Sequence, residues 1–134
     1  MRRPEDALQR SVITYLRFVA PWCVSFAIPN GGGRSKAEAA ILKATGTLAG
    51  IPDIAIIAPG GKAYFLELKA PKGRISPAQK IMHEELVARR IPLAIIRSLD
   101  DARDALKAWN IANREIINGG NNNARRRASP IPPL

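Results

Sequence analysis

The amino-acid sequence predicts an α/β fold, a mixed central β-sheet flanked by helices, with the elements in the order α-β-α-β-β-α-β-α. Short runs rich in aliphatic and aromatic residues, typical of strands, alternate with segments whose apolar residues recur at helical spacing. Strands and helices that alternate in this way build a sheet with helices on its faces. With 134 residues, 46% of them hydrophobic, the chain is long enough for one core and too short to divide comfortably into two.

Four helices are predicted, from apolar spacing and from residues that start or end helices. Pro4 suits a first helical turn, and the apolar stripe that follows it runs up to Pro21. Gly46 ends the second helix. The third helix begins with Ser76 as N-cap and Gln79 three residues later, as in a capping box. The predicted helices span about 4–20, 35–45, 76–90 and 100–109.

Four strands are predicted between these helices. The second and third strands are joined by the short connection at residues 58–61, which favours a hairpin. The first strand is stopped by Pro29 and followed by a glycine-rich loop at 30–34, which allows either chain mobility or the close approach of a ligand. The predicted strands span 24–28, 51–57, 62–69 and 92–97.

The charge balance favours a polyanionic partner, of which nucleic acid is the commonest. The chain has 21 Lys and Arg against 11 Asp and Glu, a formal net charge of +10. A solvated basic surface without a ligand is the alternative. Residues 113–134 have few side chains that can bury area, and their Asn, Gly, Arg and Pro content predicts a disordered basic tail after a domain of residues 1–112.

The cysteine count and the hydropathy exclude several classes of protein. The single cysteine, Cys23, leaves no internal disulfide and no cysteine-rich zinc site, and it fits a reducing compartment. The most apolar segment, residues 18–29, is broken by two prolines and is shorter than the ~20 residues of a membrane span. No secretory signal is recognisable in residues 1–20. We therefore expect a cytoplasmic, nucleoid-associated protein with no membrane partner.

The segment from Asp53 to Lys69 places charged side chains at the ends of two predicted strands. Side chains alternate between the faces of a strand, so Glu67 and Lys69 project on the same side. If the hairpin turns about Gly60, Asp53 lies opposite Glu67 with Cβ atoms ~5 Å apart. A shift of the register by one residue would send Asp53 to the other face.

A pair of neighbouring carboxylates is typical of a divalent metal site. Without a cation the two groups repel, and one has to take up a proton or lie in solvent. Mg²⁺ prefers carboxylate oxygens and water in near-octahedral geometry. A lysine beside such a pair can orient an attacking water or neutralise charge that develops on phosphate oxygens. Asp53, Glu67 and Lys69 therefore supply the groups that phosphodiester hydrolysis needs.

These residues form the pattern P-D-x13-E-L-K, with Pro52 and Asp53 followed by Glu67, Leu68 and Lys69. The pattern resembles the motif of the PD-(D/E)XK nuclease superfamily. The surrounding sequences NGGGR, GTLAGIPD and ELKAPKGRISPAQ are together similar to the VRR-NUC (virus-type replication-repair nuclease) family, in its short stand-alone phage and bacterial form. The resemblance covers about residues 5–108, and it implies a restriction-endonuclease-like fold that acts in a bacterial or phage-infected cell.

The resemblance implies roles for the residues of the motif. Asp53 and Glu67 would bind the metal ion, Mg²⁺ or Mn²⁺, with the backbone carbonyl of Leu68 as a further ligand. Lys69 would be the catalytic lysine.

Two residues outside the motif match the family with an alternative open for each. Gln79 would be the supporting glutamine near the scissile phosphate, and its spacing from Ser76 equally fits a capping-box partner. Glu5 matches the acidic residue of the family's first helix, which approaches the metal site. An exposed acid favoured by the helix dipole is the alternative for Glu5.

Basic residues near the motif are candidates for phosphate contacts that hold DNA without cutting it. Lys43 precedes the motif, Arg74 follows the lysine strand, and Arg34 ends the glycine-rich loop. His83, the only histidine, lies beside Glu84 and Glu85 in the third predicted helix, and we expect it on the surface.

The resemblance implies a Mg²⁺- or Mn²⁺-dependent endonuclease for branched DNA, because compact members of the family look like homodimeric resolvases of four-way (Holliday) junctions. A two-fold dimer matches the near two-fold symmetry of a junction. The alternatives are a flap or restriction-like nuclease and a non-catalytic basic DNA-binding module, although a binding module gains nothing from carboxylates that repel phosphate. Residues 22–28 are a candidate dimer contact, with burial in the chain's own core as the alternative.

Overall fold

The computed structural model describes residues 4–29 and 35–115, and these contain four helices and four strands. The elements are α1 (Pro4–Val19), β1 (Val24–Ala27), α2 (Lys36–Ala44), β2 (Ile54–Ile57), β3 (Ala63–Leu68), α3 (Pro77–Ala88), β4 (Leu93–Ile96) and α4 (Leu99–Ala108). The predicted order and the predicted α/β class are confirmed. None of these helices is long and apolar enough to cross a membrane.

The four strands form one mixed sheet in the order β1-β2-β3-β4. The β1–β2 and β2–β3 pairs are antiparallel, whereas β3 and β4 are parallel and joined through α3. In the β2–β3 hairpin Ile54 pairs with Leu66. This is the register of a hairpin that turns about Gly60, so that prediction is confirmed. If this pairing is extended by one residue beyond Ile54 and Leu66, Asp53 lies opposite Glu67.

One face of the sheet forms the core with α1 and α4. Ile54 and Leu66, paired on that face, are 0% and 1% exposed. Val12 and Leu16 of α1, four residues apart and thus on one helix face, are 0% and 1% exposed. The same cluster includes Tyr15, Val19, Tyr64, Leu68, Ile96, Ala102, Ala105 and Leu106. Apolar packing therefore fixes α1 and α4 to the sheet.

The opposite face carries α3 and is partly open. α3 contributes one buried residue, His83, and α2 contributes none. On the edge strand β1, Val24 and Phe26 are 62% and 41% exposed, whereas Ser25 between them is buried. Residues 22–28 thus lie partly in the core, through Cys23, and are partly exposed; their use as a dimer contact stays a prediction.

The predicted tail begins at residue 113, but its first three residues pack on the domain. Asn113 is 2% exposed. Glu115 accepts hydrogen bonds of 2.8 Å from Tyr15 of α1 and from Arg103 of α4. The packed part of the chain therefore extends beyond 112 to 115, because the Glu115 carboxylate joins these two helices. Residues 116–134 of the predicted tail lie outside the described residues.

Candidate active site

A cavity of about 570 Å³ opens where β2 begins and β3 ends. Its lining residues are Glu5, Asp6, Gln9, Ala27, Ile28, Pro29, Gly50, Asp53, Glu67, Leu68, Lys69, Ser76 and Gln79. Every residue to which the family resemblance gives a metal or catalytic role is in this set. The structure thus brings together side chains that come from α1, the β2–β3 hairpin and α3.

Asp53 is held at the cavity wall by three hydrogen bonds to the sheet. Its C=O accepts the N–H of Ile28 at 2.7 Å, and its own N–H donates to the C=O of Leu66 at 3.1 Å. Its Oδ2 accepts the N–H of Leu68 at 2.7 Å. That N–H lies beyond the last paired residues of β2 and β3, so the side chain continues the hydrogen bonding where the backbone ladder stops.

Glu67 is a buried acid, 1% exposed, within hydrogen-bonding reach of the Asp53 carboxyl. Burial, followed by the neighbouring Asp53, raises the pKa of Glu67 to about 9. Lys69 opposes this rise in pKa, and Glu5 adds to it. In the absence of a cation the acidic pair therefore retains a proton at neutral pH.

Gln79 combines helix capping with a contact to the acidic pair. Its side-chain Oε1 accepts the backbone N–H of Ser76 at 2.9 Å, and its backbone N–H donates to the Ser76 hydroxyl at 3.1 Å. These two bonds confirm the capping box. Its Nε2 donates to Oε2 of Glu67 at 3.3 Å. Capping and a place in the site are therefore compatible, because the cap holds the amide over the cavity.

The prediction that His83 lies on the surface is wrong. His83 is 9% exposed, and its Nε2 lies 3.0 Å from Oε1 of Glu67. Burial lowers the pKa of the His83 imidazole, and the positive charge of Lys69 lowers it further. Glu84 and Glu85, which suggested a solvated face, are exposed, but they point to other sides of the helix. The spacing of four residues from Gln79 is the signal that could have placed His83 beside the site.

Lys69 supplies a cation in the same cavity wall. Lys69 is 9% exposed, and its backbone N–H donates to the C=O of Ile96 at 2.9 Å. The loop that follows is held by Arg97, whose Nη1 donates to three carbonyl groups within residues 70–73 at distances of 2.8 to 3.3 Å. The ammonium therefore belongs to a fixed part of the chain and lies close enough to act on the pKa of Glu67.

Two cavity residues on α1 were missed by the sequence reasoning. Asp6 and Gln9 line the cavity together with Glu5. Gln9 follows Glu5 by four residues and therefore lies on the same helix face, a spacing that could have identified it. The fully buried Val12 anchors the next turn in the core, so core packing of α1 sets the position of Glu5.

Gly50 allows the connection before β2 to lie against the start of α3. Its φ is +79°, and a Cβ there would overlap the carbonyl group of Ala78. Both the backbone conformation and the close approach therefore require glycine. Because Ala78 directly precedes Gln79, this close contact helps to fix the position of Gln79 at the cavity.

Comparison with known proteins identifies the family. The VRR-NUC domain model matches residues 30–100, a little over half of the chain. The chain belongs to the VRR-NUC family. Its fold is similar to a solved structure named "VRR_NUC domain", with a TM-score of 0.57 and 19% identity over 78% of this chain and 96% of that one. A second, named "VRR_NUC domain protein", has a TM-score of 0.63 and 21% identity over 81% of this chain and 89% of that one. No curated protein matches significantly.

Membership of the VRR-NUC family implies a nuclease of the PD-(D/E)XK type that binds DNA. VRR-NUC nucleases generally depend on a divalent metal, and the oxygen donors of the cavity fit such an ion. Within residues 4–29 and 35–115 no group of three or more His, Cys, Asp or Glu side chains is placed to hold a metal. Mg²⁺, however, is usually bound by one or two carboxylates and keeps several waters. Asp53 and Glu67 with a backbone carbonyl match that requirement.

Two of the predicted phosphate-binding residues, Lys43 and Arg74, are not part of the cavity wall. Lys43 lies exposed in the last turn of α2, and Arg74 lies exposed in the connection before α3. Arg34 lies outside the described residues. Exposed basic side chains outside a cavity suit contacts that position a nucleic acid, because such contacts need not approach the reacting atoms.

Proposed function

We propose that this VRR-NUC protein is a structure-specific endonuclease that hydrolyses phosphodiester bonds in branched DNA, with four-way (Holliday) junctions as its main substrate. The observation that supports this most is the hairpin register, in which Ile54 pairs with Leu66. That register puts Asp53 opposite Glu67, and Lys69 lines the same cavity. Buried charged groups of this kind cost free energy and contribute little to packing, which favours a role in chemistry.

Asp53 and Glu67 are the proposed metal ligands, with the Leu68 carbonyl as a backbone ligand and Glu5 as a further acid at the site. A bound Mg²⁺ or Mn²⁺ would polarise the phosphate and lower the pKa of a coordinated water. With that positive charge beside them, both carboxyls of the acidic pair can be ionised together. Asp53 and Glu67 would then hold the ion within the cavity that Lys69 also lines.

Lys69 and Gln79 are the proposed groups that act on the DNA. The Lys69 ammonium can orient the attacking water and stabilise negative charge on the phosphate oxygens as the bond to the leaving oxygen breaks. Gln79 has a second amide N–H besides the one that it donates to Glu67. That N–H is the proposed contact to the scissile phosphate.

The charge of the chain supports DNA as the substrate. The net charge is +10 although the cavity itself is acidic, so the excess positive charge lies elsewhere. Lys43, Arg74 and Arg34 are the proposed phosphate contacts, and they would hold the strands on either side of the cavity. A basic nuclease of this kind would act on DNA in the cytoplasm, at the nucleoid.

A homodimer is proposed because a four-way junction has near two-fold symmetry, and a two-fold dimer would present two cavities to it. The edge strand β1 is a suitable contact. Among the described residues it pairs only with β2, and it exposes Val24 and Phe26. Exposed apolar edge strands readily pair with another chain. Sedimentation of the purified protein should give twice the mass of one chain.

The test of the proposed function is cleavage of labelled junction, flap and duplex DNA with Mg²⁺, Mn²⁺ or EDTA. We expect metal-dependent nicks in the junction and slower cutting of the other two substrates. A preparation of Lys69→Ala, purified in the same way, controls for contaminating nucleases. Faster cutting of flap or duplex would favour the flap or restriction-like alternative. Tight binding with no cutting under any condition would leave a non-catalytic DNA-binding module.

A further inference from the structure

His83 occupies a position in α3 that core packing does not explain. It is the only histidine of the chain and the one residue that α3 buries. On the same helix Ile81 and Val87 are 62% and 60% exposed. A helix that packed for stability alone would turn an aliphatic side chain inward and leave the imidazole in solvent. The inward position of His83 therefore indicates a contact that needs a ring nitrogen.

That contact is with the carboxyl group of Glu67. Nε2 of His83 lies 3.0 Å from Oε1, and Nε2 of Gln79, one helical turn earlier, donates to Oε2 at 3.3 Å. Each carboxyl oxygen thus has its own partner on α3. Because the capping box at Ser76 fixes the start of this helix, the two partners hold the carboxyl group against rotation.

We propose that His83 is a positioning residue, whose Nε2–H holds the Glu67 carboxylate in the orientation in which it shares a divalent metal ion with Asp53. The inference rests on the nuclease function proposed above. His83 is absent from the lining of the cavity and instead lines a separate groove between α3 and β4, with Val87 and Ile95. It therefore acts on the metal site through Glu67 and touches neither the ion nor the DNA.

The physical consequence is a preorganised metal ligand. A carboxylate that is already held in its binding orientation gives up less conformational freedom when the ion binds. Removal of the hydrogen-bonding partner behind a metal ligand typically lowers metal affinity roughly 10- to 100-fold. Loss of the His83 N–H should therefore raise the metal concentration that is required and leave the cleavage rate at saturating metal nearly unchanged.

Mn²⁺ binding to the full chain without DNA tests this, with the EPR signal of free Mn²⁺ as the readout. His83→Leu keeps the volume but has no donor, so we expect its Mn²⁺ affinity to fall roughly 10- to 100-fold. In His83→Gln an amide N–H can reach the position of Nε2, so its affinity should stay close to that of the wild type. Glu84→Gln, an exposed neighbour on the same helix, is the matched control and should bind like the wild type.

The outcomes separate this inference from the proposed function. If wild type and folded His83→Leu bind Mn²⁺ equally, His83 has no positioning role and the nuclease function stands. If His83→Gln loses as much affinity as His83→Leu, the hydrogen bond is not what matters, and the proposal again fails. A wild-type chain that neither binds Mn²⁺ nor cuts DNA overturns the nuclease function and this inference with it.

A measurement on the unaltered protein covers the case in which His83→Leu does not fold. Because the chain has one histidine, its ring nitrogens give a single set of ¹⁵N NMR signals. With saturating Mg²⁺ we expect a neutral ring protonated at Nε2, with an exchange-protected proton that reports the bond to Glu67. A ring protonated at Nδ1 would have no proton to donate to Glu67, and that result would exclude the proposed role.

Discussion

Leu66 and Glu67 are adjacent in β3 and are both 1% exposed, but they face opposite sides of the sheet. Leu66 lies in the apolar core with residues of α1 and α4. Glu67 faces α3 and makes hydrogen bonds with Gln79 and His83. Burial of Leu66 stabilises the fold through the hydrophobic effect. Burial of Glu67 opposes folding unless hydrogen bonds or a metal ion compensate for its lost hydration.

The difference indicates that the alternating side chains of β3 have two roles: those on one face stabilise the core, and those on the other face form the site. The core face specifies where α1 and α4 lie, and α1 in turn presents Glu5 to the cavity. The α3 face holds the groups that the proposed chemistry uses. Substitutions on the core face should therefore lower stability, and those on the α3 face should remove activity with little loss of stability. The two sets of variants can be made within a few residues of one another.

The largest expected effect is that of Lys69→Ala on cleavage. Loss of one group that stabilises the charge of the transition state typically lowers the rate by roughly 100- to 1,000-fold. We expect this loss at saturating metal, with junction affinity and the melting temperature little changed, because the ammonium makes no contribution to the core. Single-turnover cleavage and a junction-binding titration measure the two effects separately. Comparable cleavage by the variant would remove Lys69 from the mechanism.

Leu66→Ala tests the core face. It should lower the free energy of unfolding by about 2–5 kcal/mol, through lost apolar burial and the cavity that remains. Leu48, which is 54% exposed, offers a control with the same change of side chain, and Leu48→Ala should lower the free energy of unfolding far less. Urea denaturation of the two variants gives both values. Equal effects would mean that the two positions do not differ in burial as the structure has them.

Glu67→Gln tests the α3 face through the pH dependence of stability. An unfolded Glu loses its proton near its ordinary pKa of 4.5, whereas the folded Glu67 has a pKa of about 9 because of burial and of Asp53. Between these values the folded chain binds more protons than the unfolded chain, so the free energy of unfolding falls as pH rises. The glutamine variant cannot ionise and should be more stable than the metal-free wild type near pH 8, by roughly 1–3 kcal/mol.

The measurement is a series of thermal melts in EDTA across this pH range, followed by the same melts with Mg²⁺. Mg²⁺ should raise the melting temperature of the wild type at high pH and have little effect on Glu67→Gln, which should also fail to cut DNA. The titrating neighbours that face Glu67 are Asp53, Lys69, Glu5 and His83. A metal-free wild type whose stability does not change with pH would show that Glu67 is hydrated or paired in a way that the structure does not have.

The centre of the site could be predicted from the sequence because it depends on local rules. Alternation within a strand, a short glycine-containing turn and the carboxylate chemistry place Asp53, Glu67 and Lys69 together, and the observed pairing of Ile54 with Leu66 confirms the register on which this depends. The element order could be predicted for the same reason, since the caps, prolines and apolar runs that bound each element are local signals.

The surroundings of the site could not be predicted in the same way, because they depend on how α3 docks. The periodicity of α3 favours burial of aliphatic residues, but Ile81 and Val87 are exposed and His83 is buried. The docking depends on Gly50, whose approach to Ala78 joins parts of the chain that are distant in sequence. The spacing of four residues puts Gln79 and His83 on one face of α3, but no pattern within the helix says which face docks on the sheet.

The smallest expected effect is that of removing residues 116–134. This segment adds three arginines and no acidic residue, so any contact that it makes with DNA is expected to be with phosphates. A chain ending at Glu115 keeps the hydrogen bonds of that carboxylate to Tyr15 and Arg103. It should therefore keep its stability and its cleavage rate.

The slope of log K against log salt for junction binding should become shallower by ~0.9 for each phosphate that the shortened chain no longer neutralises. A chain ending at residue 112 is the matched control: it should show the same change of slope and also a lower melting temperature. An unchanged slope in both would mean that the segment does not touch DNA.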